Sequence, residues 1–222
     1  MKNAILFFIK YPAPGEVKTR LGKEIGYEKA AEFYMAFVED ILDDFSKAGL
    51  NILIFFDANH SIDQYRKWLG NHKYYPQQGE NLGERMKQAF KTAYKQGYTN
   101  CILTGSDLPG LAASTIKEGF ESLEKSPSCI GPATDGGYYL IGFQKKYFAE
   151  SIFENMKWST ESVFTKTLSK LCTAGQTPAQ LPDFSDIDTK SDLVELSRNK
   201  NLNKLCPKTS KMFAKTNLNQ SQ

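Results

Sequence analysis

Three short apolar runs, at residues 4–9, 52–56 and 101–103, are separated by long stretches with a helical apolar rhythm. This alternation constrains the fold more than any other feature of the chain. A run that is apolar at every position predicts a strand covered on both faces. After the first run, Ala30, Phe33, Tyr34, Phe37, Val38, Ile41, Leu42 and Phe45 make one stripe. That spacing predicts an amphipathic helix from Tyr27, with Gly49 as its stop. Ser61 is placed to cap a short helix carrying Ile62, Tyr65 and Leu69. Residues 81–96 read as a helix with Leu82, Met86, Ala89, Phe90 and Ala93 on one face. Ser114 is placed to cap the next, with Ile116, Phe120 and Leu123 inward.

Residues 129–133 and 138–143 are strand-like and flank an Asp135-Gly136-Gly137 turn signal. Helices are expected at 147–153, 159–171 and 189–198, and a Pro/Gly loop at 11–22. Strands alternating with helices imply βαβ units and a mostly parallel sheet. The expectation is one α/β domain over residues 1–195, followed by a basic polar tail at 196–222.

Several function classes drop out. The formal charge of +3 is too small to argue for nucleic acid as a partner. The four cysteines form no Cys-x-x-Cys pair, which argues against a zinc ribbon or a disulfide scaffold. Reduced thiols in the cytoplasm are the expectation. No apolar run approaches the ~20 residues of a membrane span, and the run after Lys2 is too short for a signal peptide. The two histidines, His60 and His72, lie outside the loops considered below and read as surface residues. A His-based triad is therefore disfavoured, and neither a Gly-x-Ser-x-Gly elbow nor a His-Glu-x-x-His motif occurs.

In open parallel sheets, ligands bind at the carboxyl ends of the strands. The loop leaving the first strand carries Lys10, Pro12, Pro14, Gly15, Lys18 and Arg20. Prolines stiffen the chain, glycine admits backbone amides to a ligand, and the cations suit a phosphate chain. A surface loop with solvated lysines is the plainer alternative. Segment 105–110 places Asp107 at the end of a buried strand. One such carboxylate suffices to anchor Mg²⁺ against substrate phosphates; a turn aspartate is the alternative. In segment 133–142, Gly136 and Gly137 turn beside a potential cleft, Asp135 is placed to bind an acceptor hydroxyl, and Tyr138 to bound the cleft. Asp186 and Asp188 precede a helical pattern. Either caps that helix, or Asp188 returns to the strand ends as a second carboxylate on the same cation.

Four motifs then carry a resemblance. They are Lys10-x-Pro-x-Pro-Gly-x-Val-Lys-Thr-Arg-Leu21, Gly105-Ser-Asp-Leu-Pro109, Thr134-Asp-Gly-Gly-Tyr138 and Asp186-Ile-Asp-Thr189, in this order. Over residues 3–196 the chain resembles a small bacterial glycosyltransferase-A-like family of the nucleotide-diphospho-sugar transferase superfamily. Molybdenum-cofactor nucleotidyltransferases and phospholactate guanylyltransferases are more distant cousins. The resemblance implies a Rossmann-like three-layer αβα sandwich with a nucleotide over the carboxyl edge of its sheet. It also implies Mg²⁺ or Mn²⁺ held by Asp107 and Asp188. Gly79, Gly83 and Arg85 would line the nucleotide pocket, and Trp158 and Ser159 the acceptor side. One departure is that Ser-Asp-Leu-Pro is not the Asp-x-Asp of many glycosyltransferases.

The expected function is transfer from a nucleotide-activated donor to a small-molecule acceptor. Glycosyl transfer leads, and Asp135 orients or deprotonates the acceptor. Nucleotidyl transfer follows, with Lys18 and Arg20 on the β- and γ-phosphates. A nucleotide-binding protein without turnover is a third reading. After Glu195 there are six basic residues and no acidic one, leaving −3 on residues 1–195. The tail is expected to be solvated, with contact to an anionic partner as the sharper alternative.

Overall fold

The computed structural model describes residues 2–216. β1 (Asn3–Ile9) leads through a loop into α1 (Thr19–Ile25) and α2 (Tyr27–Lys47). Then come β2 (Ile52–Phe56), α3 (Ile62–Leu69), β3 (Lys73–Pro76), α4 (Leu82–Lys95), β4 (Asn100–Thr104) and α5 (Ala113–Lys125). β5 (Ser128–Pro132) and β6 (Tyr138–Gln144) form a hairpin, followed by α6 (Val163–Thr173), β7 (Ala179–Gln180), α7 (Lys190–Ser197), α8 (Leu202–Leu205) and α9 (Pro207–Thr216).

Among the described residues the sheet has seven strands, ordered β3-β2-β1-β4-β6-β5-β7. The four strands β3 to β4 run parallel, β6 is antiparallel to both its neighbours, and β7 is parallel to β5. The expected α/β architecture with a mostly parallel sheet is thus observed, with one reversed strand. β1 explains the layering through its two-residue period. Ile5, Phe7 and Ile9 pack into one apolar layer with α2, α3 and α5. Ala4, Leu6 and Phe8 pack into the other, with α4 and α6. A strand buried on both faces must be apolar throughout, which is why β1 shows no polar alternation.

Several expectations are corrected. The loop at 11–22 ends early, because α1 begins at Thr19. Gly22, read as a loop signal, is a packing glycine: a Cβ there would sit 2.4 Å from Tyr27 Cδ1. β3 and β7 were not anticipated, being short and only partly buried. Ser114 does not cap α5. The Asp44 carboxylate of α2 does so from outside the helix, accepting from Ala113 N at 2.6 Å. The helix expected at 147–153 is two 3₁₀ turns, Lys145–Tyr147 and Glu150–Phe153. α6 starts later than expected, since Ser159 has a left-handed backbone (φ 60°).

The solvated tail is the largest correction. Leu202, Cys206 and Phe213 join Phe33, Phe37 and Leu193 in a third apolar cluster. The buried Asp40 carboxylate accepts from Lys208 N (3.0 Å), Thr209 N (2.8 Å) and Thr209 Oγ1 (2.8 Å). It thereby satisfies first-turn N–H groups of α9 that the helix itself cannot. Lys208 Nζ pairs with Glu39 (3.2 Å) and Asp43 (2.9 Å), so the charge of this segment is partly answered within the protein. Residues 217–222 of the expected tail lie outside the described residues. No described helix is long and apolar enough to cross a membrane.

Candidate functional site

The loop after β1 is shaped by local chemistry. Pro14 and Gly15 make a turn in which Glu16 N donates to Ala13 O at 3.1 Å. Gly15 has φ 82°, the conformation this Pro–Gly pairing needs. Pro12 is half-buried behind that turn. Val17 is buried, and Lys18 then takes a left-handed backbone (φ 47°, ψ 45°) directly before α1. Such a conformation costs a bulky residue about 1–3 kcal/mol and persists only where its surroundings impose it.

Here Gly22 N donates to Lys18 O at 2.7 Å and Val17 is buried, while the side chain meets two carboxylates from distant parts of the chain. The Lys18 side chain is only 2% exposed, and its Nζ lies 2.8 Å from Asp107 Oδ1 and 3.0 Å from Asp188 Oδ1. Arg20 Nη1 stands 3.6 Å from Asp188 Oδ2 and is itself largely exposed. The return of segment 186–188 to the strand ends is secured by its backbone, since Ile187 N donates to Asp107 O at 3.1 Å. Neither Asp186 nor Asp188 caps α7. Thr189 does, in a capping box: its Oγ1 accepts from Asp192 N, and Asp192 Oδ2 accepts from Thr189 N (2.7 Å) and Asp188 N (3.0 Å). The Asp188 side chain is therefore free to face Lys18.

Charge balance follows from this geometry. Burial disfavours the Lys18 ammonium, but Asp107 and Asp188 outweigh it and raise its pKa. Asp186 is also raised, by burial and then by Asp188, against the pull of Lys18, with Asp135 adding to the effect. Behind the cluster, the buried Tyr34 Oη accepts from Lys10 N (2.9 Å) and bonds Ser106 Oγ (2.8 Å). This phenol braces the first loop against the Asp107 loop. Burial and the Asp107 charge push it well above a normal tyrosine.

The other candidates fall into separate groups. Asp135 Oδ1 accepts from Gly137 N at 2.8 Å, a turn closed on itself. Gly136 (φ 86°) leaves no room for a side chain, as a Cβ would be 2.2 Å from Glu161 O. Phe164 N donates to Gly136 O at 2.9 Å, tying the turn to the start of α6. Tyr138 turns toward the α4 layer, with its Oη on Met86 Sδ at 3.8 Å. Gly79 (φ 136°) packs on Glu84 and Arg85, and Arg85 Nε donates to its carbonyl at 3.1 Å. At Gly83 a Cβ would meet Phe153 O at 2.4 Å and Trp158 Cζ2 at 2.6 Å. Trp158 is thus seated on the first turn of α4, while Ser159 beside it is exposed.

One feature beside the site was missed by sequence reasoning. An open cleft of ≈ 350 Å³ beside the first loop is lined by Lys10, Tyr11, Glu16, Asp57, Asn59 and His60. His60 stacks on Tyr11 (centroids 4.6 Å apart), and its Nε2 lies 2.9 Å from Glu16 Oε2. It is not the detached surface residue expected from its polar neighbours. The available signal was positional: Asp57 to His60 leave the carboxyl end of β2, next to β1.

Whether a divalent cation fits can be judged from the donors. Among the described residues no group of three or more His, Cys, Asp or Glu is arranged to hold a metal ion. Asp107 and Asp188 nevertheless converge on one cation, the Lys18 ammonium, and their side chains are 49% and 39% exposed. Two hard carboxylates open to solvent suit Mg²⁺ or Mn²⁺ completed by phosphate oxygens and water. The two carboxylates are compatible with such an ion, and Lys18 Nζ lies between them.

The fold defines a class, the nucleotide-diphospho-sugar transferase and nucleotidyltransferase structures. A protein of Desulfovibrio desulfuricans G20, provisionally described as a nucleotide-diphospho-sugar transferase, has a TM-score of 0.93 at 37% identity. The match covers 99% of this chain and 98% of that one. The 4-diphosphocytidyl-2C-methyl-D-erythritol synthase of Anaerococcus prevotii DSM 20548 shares the fold at TM-score 0.58 and 12% identity, covering 87% and 95%. Rv0371C from Mycobacterium tuberculosis H37Rv, in complex with manganese, does so at 0.54 and 15%, covering 88% and 97%. No curated protein matches in sequence. The chain belongs to the bacterial family described as "Uncharacterized protein conserved in bacteria (DUF2064)", whose pattern matches residues 43–160.

Proposed function

We propose that this protein is a metal-dependent transferase using a nucleotide-activated donor, and that it transfers a glycosyl group from a nucleotide-diphospho-sugar. One observation carries the reading. Lys18, Asp107 and Asp188, from three distant segments, meet within 3.0 Å at the carboxyl edge of the sheet. A buried ammonium between two half-exposed carboxylates is a poor device for stability, but it is a sound one for a phosphate–metal pair. The 37% identical Desulfovibrio protein supports the same class.

In this reading Lys10, Lys18 and Arg20 hold the donor phosphates. Tyr11, His60, Asp57 and Asn59 offer the base a ring to stack on and polar groups to bond. Asp107 and Asp188 hold the cation, which when bound offsets charge developing on the departing phosphates. Asp135, near Asp186, faces the acceptor. Nucleotidyl transfer is the second reading. It is favoured by the three cations of the first loop and by the single strand-end aspartate, a set that suits a triphosphate.

The test is direct. The protein is incubated with Mg²⁺ and panels of nucleotide sugars and nucleoside triphosphates, following thermal stabilisation and product. A ligand at 100 times its Kd adds about 2.7 kcal/mol. Stabilisation by nucleotide sugars with nucleoside diphosphate release supports glycosyl transfer; pyrophosphate release from a triphosphate moves the assignment to nucleotidyl transfer. Full metal-dependent binding by Asp107→Ala would refute the metal assignment.

A further inference from the structure

We infer that Lys18 is a tethered counter-ion, which a divalent cation and the phosphates of the donor must displace together. The inference rests on reading this edge as a metal and nucleotide site. It concerns how that site fills.

In the free protein the four innermost charges of the site are paired with one another, with Asp186 alongside them. Lys18 and Arg20 carry two positive charges, and Asp107 and Asp188 two negative ones, all within 3.6 Å contacts. The Oδ1 atom that each aspartate turns inward is already taken by Lys18 Nζ. A divalent cation arriving alone must compete with that ammonium for the same oxygens, and it then lies beside an uncompensated buried positive charge. A polyphosphate arriving alone finds the ammonium neutralised, with two carboxylates facing its own negative charge. Neither partial state is favourable, because each leaves a buried or crowded charge without a partner.

Binding both ligands removes the conflict by exchanging partners. The carboxylates pass from Lys18 to the metal, and Lys18 passes to phosphate. The charges of Lys18, Asp107 and Asp188 are then matched. The exchange needs only the tip of the lysine to move, since its four-carbon stem is flexible and its ammonium is a point charge with three rotatable donors. The anchor does not move. The left-handed backbone at Lys18, the Ile187–Asp107 bond and the Tyr34 brace all lie in the main chain or behind it. The consequence is positive coupling between metal and anion, and by linkage the coupling is equal in both directions. The site therefore binds free metal ions and free phosphates more weakly than it binds the pair.

The test measures binding, independent of turnover. Mn²⁺ affinity is read by paramagnetic resonance and calorimetry, with and without inorganic pyrophosphate, corrected for Mn²⁺–pyrophosphate complexes in solution. Wild type is expected to bind Mn²⁺ at least about tenfold more tightly with pyrophosphate present, within the usual range of such couplings. Lys18→Met keeps the length and removes the charge. It is expected to bind Mn²⁺ alone about tenfold more tightly than wild type, and to lose most of the pyrophosphate effect. Lys18→Gln serves as a second uncharged variant.

Equal Mn²⁺ affinity in wild type and variants, with binding still lost in Asp107→Ala, overturns the inference and leaves the metal site standing. No Mn²⁺ binding by any of these proteins under any condition overturns both. If neither variant folds, wild type decides alone: Mn²⁺ affinity indifferent to pyrophosphate overturns the coupling.

Discussion

The Lys18 cluster and the Gly136 turn lie at the same sheet edge but are built on different principles. The cluster joins residues up to 170 positions apart through charged side chains. The turn is made of backbone. Gly136 N donates to Ala133 O, Ala133 N to Gly137 O, Thr134 N to Phe184 O and Phe164 N to Gly136 O, at 2.9–3.3 Å. Backbone bonds hold one shape whatever the salt or charge state. Ion pairs made by half-exposed carboxylates can change partners. The comparison teaches that one side of this edge is a fixed wall and the other an exchangeable set of contacts.

Stability measurements can break this contrast. The largest effect is expected from Gly136→Ala, which adds a backbone clash with Glu161 to a left-handed strain. A loss of about 2–4 kcal/mol is expected, a Tm fall of about 4–16 °C by thermal denaturation. Tyr34→Phe comes next. It leaves Lys10 N and Ser106 Oγ without their shared partner, at about 1–3 kcal/mol by urea denaturation. It should also weaken pyrophosphate binding, because the two loops lose their brace.

Asp192→Ala removes half of the capping box that sets Asp188, at about 1 kcal/mol in the same assay. Its pH dependence has a definite sign. Although partial burial opposes it, bonds from Thr189 and Asp188 lower the Asp192 pKa below the ordinary 3.8. The cap is thus fully present above that value, and is lost as pH falls through the lower folded value. Wild type and Asp192→Ala should therefore converge in stability under strong acid.

The smallest effect is expected from Lys18→Met, within about 1 kcal/mol of wild type despite two lost ion pairs. Removing the ammonium relieves its desolvation, and the aspartates regain water. A loss as large as that of Gly136→Ala would show that the cluster is structural, and would erase the contrast.

Much of this was legible in the sequence, for definable reasons. β1, β2 and β4 declare themselves because strands buried on both faces are apolar throughout. The long stripe of α2 leaves no other reading. Lys18 and Asp107 stand out as candidates because ligand loops sit at strand ends, and loop composition is local. The illegible parts depend on contacts made across the fold. Asp44 caps α5 from another helix, where Ser114 looked sufficient. Tyr34 belongs to the apolar stripe of α2, and nothing in its spacing marks its hydroxyl as a brace between loops. His60 has polar neighbours in sequence, but Tyr11 and Glu16 in space. Tyr138 stands next to the Gly136-Gly137 turn in sequence, and its side chain packs on Met86. Whether Asp188 would return to Asp107 rested on one backbone bond, from Ile187, that no motif announces.

The docking of α9 onto α2 bears on how the chain matures during synthesis. The Phe33 and Phe37 face is made early, but its cover, Phe213, is separated from it by most of the chain. Until that later segment emerges from the ribosome, the α2 face lacks its aromatic cover and the Asp40 carboxylate lacks its three donors. The sheet can assemble ahead of it, since β1 to β4 come first and carry their own helices. Closure by α9 is then a late step that seals an interval of vulnerability to aggregation and proteolysis. A carboxylate that stays hydrated until its helix arrives keeps the waiting face partly soluble.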